Sequence, residues 1–175
     1  MEIVTQLEIE QAITKSSREV FETMLGLPLE IDPSKMQTII EPETFHGVVA
    51  LVGVAGSWTG TGHISCTPAF AQKLAGALLM TVYEAVNEDV LDAVAEVANM
   101  IIGNVKTIFE EKLGPLGLTV PTVIYGRNYH TRSAGIKDWV LVRLRSGEDS
   151  MDINFCLMPS RVPMHMAPRP ELQTA

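Results

Sequence analysis

A chain of 175 residues that is 46% hydrophobic carries enough apolar material for one packed core, and is expected to form one domain or one domain built of two similar halves. Its formal net charge of −8 leaves no basic stripe to meet phosphates, which argues against a nucleic-acid binder, and no apolar run is long enough to insert into a membrane. The acidic start "MEIVTQLEIEQ" does not read as a signal peptide, and Cys66 and Cys156 make no disulfide framework, so a reduced, cytoplasmic protein is expected.

Helical periodicity predicts a first long helix from about Glu8 to Leu25. Three β-like runs follow, at 36–41 ("MQTIIE"), 45–56 ("FHGVVALVGVAG") and 60–66 ("GTGHISC"). Thr67 as N-cap and Pro68 at the first helical position then open a shorter helix over 68–80. A second long helix is predicted from about Glu88 to Leu113. Asn87 suits its N-cap, Glu88 and Asp89 its first turn, and Gly114-Pro115 stop it. Three more β-like runs come next, at 118–126, 138–145 and 151–158. The Pro-rich tail, 159–175, is expected to be extended or disordered.

The order is therefore helix and three strands, twice. "FETMLG" (21–26) aligns with "FEEKLG" (109–114) at an offset of 88, and each is followed by a proline and a strand-like run. The two cysteines fall at similar places near the ends of third strands. These matches point to a tandem duplication with half-repeats of about 8–81 and 88–158. The expected fold class is α+β: a mainly antiparallel sheet with the two long helices packed on it, in a single domain over 1–158.

At 100° per residue the second long helix gathers Val90, Val94, Ala98, Ile101, Ile102 and Val105 on one face. Its opposite face carries Asp92, Glu96, Asn99, Gly103, Lys106 and Glu110. A solvated side is the ordinary meaning of such a stripe. Gly103 departs from it, because glycine inside a helix costs about 1 kcal/mol relative to alanine. The missing side chain leaves a notch beside Asn99 where a partner could come close. An amide can orient a water by donating and accepting at once, and a carboxylate can pair with a partner's lysine. Glu96 and Asn99 are thus candidate catalytic residues, with Asp92, Gly103 and Lys106 as candidate partner-binding residues. Spacing alone does not name the reaction.

"EDVLDAVAEVANMIIGNVKTIFEEKLG" (88–114) holds Glu96-Val97-Ala98-Asn99 followed by Gly103-Asn104. With "VALVGVAGSWTGTGHISCTPAFAQKLAGALL" (49–79), it resembles the chemotaxis phosphatase family of CheC, CheX and FliY, CheX-like members most of all. The likeness covers about residues 8–158. It implies hydrolysis of the aspartyl-phosphate of a phosphorylated CheY-type response regulator. Glu96 would form a salt bridge to the regulator's lysine, and Asn99 would enter its phosphorylation site and orient the attacking water. The resemblance implies no cofactor on this chain, with Mg²⁺ on the partner regulator, and makes a homodimer plausible.

At the offset of 88, Glu96 maps to Glu8, Asn99 to Gln11, Gly103 to Lys15 and Asn104 to Ser16. The first helix lacks the full constellation, so one active site is expected. Other signals point elsewhere. "GSWTGTG" (56–62) lacks a phosphate-loop ending and suits a strand–turn–strand segment. His46, His63, His130 and His165 lack metal-ligand spacing, so no metal site is expected. The cysteines suit buried strand positions, and "YGRNYHTR" (125–132) suits a loop or hairpin tip. The alternative to a phosphatase is a non-catalytic adaptor that binds a response regulator or a flagellar-switch component.

Overall fold

The computed structural model describes residues 4–32, 45–129 and 139–160. The predicted run at 36–41 and the tail beyond Ser160 lie outside these residues. Helix α1 (Gln6–Val20) opens on a capping box: the Thr5 hydroxyl accepts from the Glu8 amide at 3.2 Å, and the Glu8 carboxylate accepts from the Thr5 amide at 2.7 Å. It widens into a π-type turn over Phe21–Leu25 and ends at Gly26, where φ is 61°. Helix α2 (Pro68–Leu79) is capped by Thr67, and helix α3 (Glu88–Leu113) by Asn87, whose Oδ1 accepts from the Val90 amide at 3.1 Å. Gly114, at φ 79°, closes α3.

Seven strands form one sheet: β1 (Glu30–Asp32), β2 (Phe45–Gly56), β3 (Trp58–Cys66), β4 (Leu116–Leu118), β5 (Thr122–Tyr129), β6 (Val140–Ser146) and β7 (Asp149–Pro159). The order is β1-β6-β7-β3-β2, with β4 and β5 both pairing β2, and every pairing is antiparallel. Take β5 as the outer strand beside β2. Exchanging β1, β2 and β3 for β5, β6 and β7 then only reverses the order. A duplicated helix–three-strand unit gives this arrangement. The outer strand of each half pairs with the middle strand of the other.

The helices cover one face of the sheet. Helix α3 lies over β2 and its neighbours, α1 over β6 and β7, and the two long helices pack together. The start of α1 meets the end of α3, where Lys112 Nζ stands 2.8 Å from Glu8 Oε1. Ile13, Ile64, Ile101, Ile102, Leu144 and Phe155 are fully buried in this helix-side core. Gly62 lets α3 approach, since a Cβ there would stand 2.4 Å from Ile102 Cδ1. Helix α2 is held to the β6–β7 hairpin by Lys73, which donates to Ser146 O at 2.9 Å and Asp149 Oδ2 at 3.1 Å.

Three expectations need correction. The run at 118–126 is not one strand. Leu118 pairs with Val54 and Thr122 with Leu51, so Thr119, Val120 and Pro121 stand opposite only Val52 and Gly53. One residue is extra, which is a β-bulge, and Pro121 has no N–H to give the ladder. The segment 125–129 is not a loop tip: it is the end of β5, registered against β2, and the rest of that motif lies outside the described residues. Nor are the two cysteines equivalent. Cys66 belongs to the helix-side core, whereas Cys156 pairs with Thr61, one step out of phase with Gly62, and faces the other side. Both are free and buried, and burial pushes their thiols up to about 12 and about 11 respectively.

Candidate active site

The apolar stripe of α3 is buried as its periodicity predicts, with Val90, Val94, Val97, Ala98, Ile101, Ile102 and Val105 nearly inaccessible. That burial turns the opposite stripe to solvent. Asp92 and Glu96 are exposed, and Asn99 and Gly103 are partly exposed. No ion pair or side-chain hydrogen bond to another described residue engages Asp92, Glu96 or Asn99. A carboxylate and an amide therefore stand three residues apart on a rigid helix, with their hydrogen-bonding capacity open.

Gly103 is bare for no internal reason. A Cβ placed there would meet only Leu118 Cδ1, at 3.6 Å, an ordinary contact. The fold would accept alanine, which makes a better helix. Gly60 differs: its Cβ would lie 2.1 Å from the Cys156 carbonyl oxygen, so internal packing requires that glycine.

Lys106 lies on the stripe but is tied back. Its Nζ donates to Glu110 Oε2 at 2.6 Å and to Leu116 O at 3.2 Å, while Glu110 Oε1 accepts from the Leu116 amide at 2.9 Å. Hydrogen bonding from Lys106, and then from the Leu116 amide, holds the Glu110 carboxyl below its usual range. This network braces the turn from α3 into β4. Its i,i+4 spacing was visible in the sequence. The part played by Leu116 was not, because it depends on how the strand folds back along the helix.

Residues 48–144, more than half the chain, match the family described as "Chemotaxis phosphatase CheX". The chain belongs to the CheX family. A curated relative, the CheY-P phosphatase CheX of Thermotoga maritima, is 28% identical over 142 residues, which span 81% of this chain and 90% of that protein. Among solved structures, CheX from Vibrio vulnificus superposes with a TM-score of 0.76 at 23% identity, covering 86% of this chain and 99% of its own. The Borrelia burgdorferi CheX-CheY-BeF3-Mg²⁺ complex matches with a TM-score of 0.70 at 22% identity, covering 84% and 96%. These likenesses establish the α+β fold of CheX and CheC-like proteins.

The counterpart positions on α1 are placed differently. Glu8 is the third residue of its helix, whereas Glu96 is the ninth of α3. Glu8 also works within the fold. Its bond from Lys112, followed by those from Thr5, lowers its pKa to about 2. Gln11 and Lys15 are exposed. The helix-free face of the sheet carries a separate cluster. There His63 packs against Trp139 with ring centroids 4.7 Å apart, and burial lowers its imidazole pKa to about 4. Among the described residues no group of three His, Cys, Asp or Glu side chains comes together as a metal site, and no helix is long and apolar enough to cross a membrane.

Proposed function

We propose that this chain hydrolyses the aspartyl-phosphate of a CheY-type response regulator, using the solvent-facing stripe of α3. The observation that carries this reading is the pairing of an unengaged Glu96 with an unengaged Asn99 beside a glycine that the fold itself does not need. The name of the Thermotoga relative and the presence of CheY in the Borrelia complex support the choice of substrate.

In this mechanism α3 lies against the regulator's phosphorylation site. Glu96 pairs with the regulator's lysine and sets the register of the two proteins. The Asn99 amide accepts from a water and holds its lone pair toward phosphorus. The water oxygen forms a bond to phosphorus, the bond from phosphorus to the aspartyl oxygen breaks, the regulator recovers a free carboxylate, and inorganic phosphate leaves carrying the water's oxygen and its protons. The transition state is largely dissociative and needs position and charge compensation rather than a nucleophile from this chain. Mg²⁺ bound to the regulator supplies part of that compensation.

Phosphate release from a phosphorylated CheY-type regulator tests the reading. Wild type is expected to accelerate it. Asn99→Ala is expected to lower kcat by about a hundredfold, the order lost when a positioned polar group is removed. Glu96→Ala is expected to act through a raised KM. Binding without acceleration across the host's regulators would support the adaptor instead.

A further inference from the structure

The bulge between β4 and β5 lies beside the Gly103 notch, and its contents point outward. Thr119 fixes it from one side: its amide donates to Gly53 O at 2.9 Å, and its hydroxyl accepts from the Gly53 amide at 2.8 Å. Glycine at 53 allows this, since a Cβ there would stand 2.9 Å from Thr119 Cγ2. The Lys106–Glu110 network fixes Leu116 from the other side. Held before it by Thr119 and after it by the pairing of Thr122 with Leu51, Val120 is nevertheless 86% exposed. A rigid, β-branched apolar side chain held in water contributes nothing to the core.

Register gives its direction and height. Thr119 lies over Gly53, and Thr122 pairs with Leu51, so both belong to the helix-free face. Leu118 packs against the helix-side core and stands beside Gly103, and Val120 follows it by two residues, exposed in the bulge at the same edge of the sheet. The strand runs back along α3: Leu116 meets Lys106, and Leu118 meets Gly103. Two more residues carry the chain toward the Asn99 end of the helix by at most about 7 Å, less where the bulge takes up a residue, against a rise of about 6 Å from Gly103 to Asn99. Val120 thus lies on the Asn99 side of Gly103.

We infer that Val120 is a specificity-determining docking residue: an apolar contact that seats the response regulator against α3. The inference rests on the phosphatase reading above. The occupant is fixed by chemistry already on the face. Asp92 and Glu96 call for a cationic group, and Val120 calls for an apolar patch on the same partner. A preformed contact of this kind raises affinity without altering the chemical step.

The test measures affinity for the beryllofluoride-activated regulator, together with kcat and KM for the phosphorylated one. Val120→Ser, which adds no charge, and Val120→Asp are expected to raise Kd and KM about tenfold with kcat unchanged, the loss typical of a central contact. Val120→Ile is expected to stay within about twofold of wild type. Unfolding midpoints should not move, because the side chain is exposed. Wild-type Kd and KM in both polar variants, while Asn99→Ala remains inactive, would overturn this inference alone. A wild-type protein that neither binds nor dephosphorylates the regulator would overturn the phosphatase reading with it.

Discussion

Asn99 has an ordinary side chain in an unusual circumstance: partly shielded, on a rigid helix, and without a side-chain partner among the described residues. Gly103 supplies the circumstance, so the two should separate experimentally. Gly103→Ala removes a helix-breaking residue and brings only an ordinary contact with Leu118 at 3.6 Å, so stability should rise by up to about 1 kcal/mol. On the proposed function the same methyl would stand where the partner approaches, so KM for the phosphorylated regulator should rise. Urea unfolding and dephosphorylation kinetics on one preparation check both. A variant that was more stable and also fully active would show that the notch has no role in docking. His63 offers a different residue-scale prediction. Its folded pKa, about 4, is depressed from an ordinary 6.5, so the unfolded chain binds the proton first as pH falls. The neutral imidazole therefore contributes stability in full above pH 6.5, and that contribution is lost as pH falls toward 4, by at most about 3 kcal/mol. His63→Gln should flatten the fall in melting temperature between pH 7 and 5, a range above that in which Glu8 titrates.

Among the elements, α3 was the most legible. Asn87 and Gly114 gave its ends because caps are local chemistry, and its apolar period gave its buried face. Short or irregular elements were not legible. Strand β1 has three residues and owes its existence to pairing with β6, far along the chain. The bulge was hidden because "LTVPTVIYG" is uniformly β-like, and only the count of residues on β2 exposes the extra one. Glu8 was half legible. Its homology with Glu96 was drawn from an offset, while Thr5 three residues earlier already spelled a capping box. That role has a consequence. Thr5→Ala should cost about 1 kcal/mol in urea unfolding and leave dephosphorylation unchanged, because the start of α1 holds the fold and not the site. Gly60→Ala should be worse. Its methyl would meet a backbone carbonyl rather than a side chain, so β3 must part locally from β7, and the unfolding midpoint should drop by more than in Thr5→Ala.

For the whole molecule, repetition in the sequence explains the sheet better than any single segment does. The short match around Phe21 and Phe109 places two buried aromatic rings at matching points of the two long helices. It does not carry through to the strands, where the cysteines point to opposite faces. The interleaved strand order has a further consequence for how the chain reaches its native state. Each half completes the other: among the described residues β1 pairs with β6, and β5 with β2. The β2–β3 hairpin can pair early, but the β1–β6 pairing waits for residues 143–145, so completing the sheet depends on distant loop closures and should be slow for a chain of this size. Fragments divided between α2 and α3, at residue 84, should each remain unfolded in solution. Mixed, they should recover the circular dichroism and the regulator phosphatase activity of the intact chain, and a fragment that folded alone would contradict the interleaving. A single cut in one surface loop would then serve as a reversible control over the whole protein.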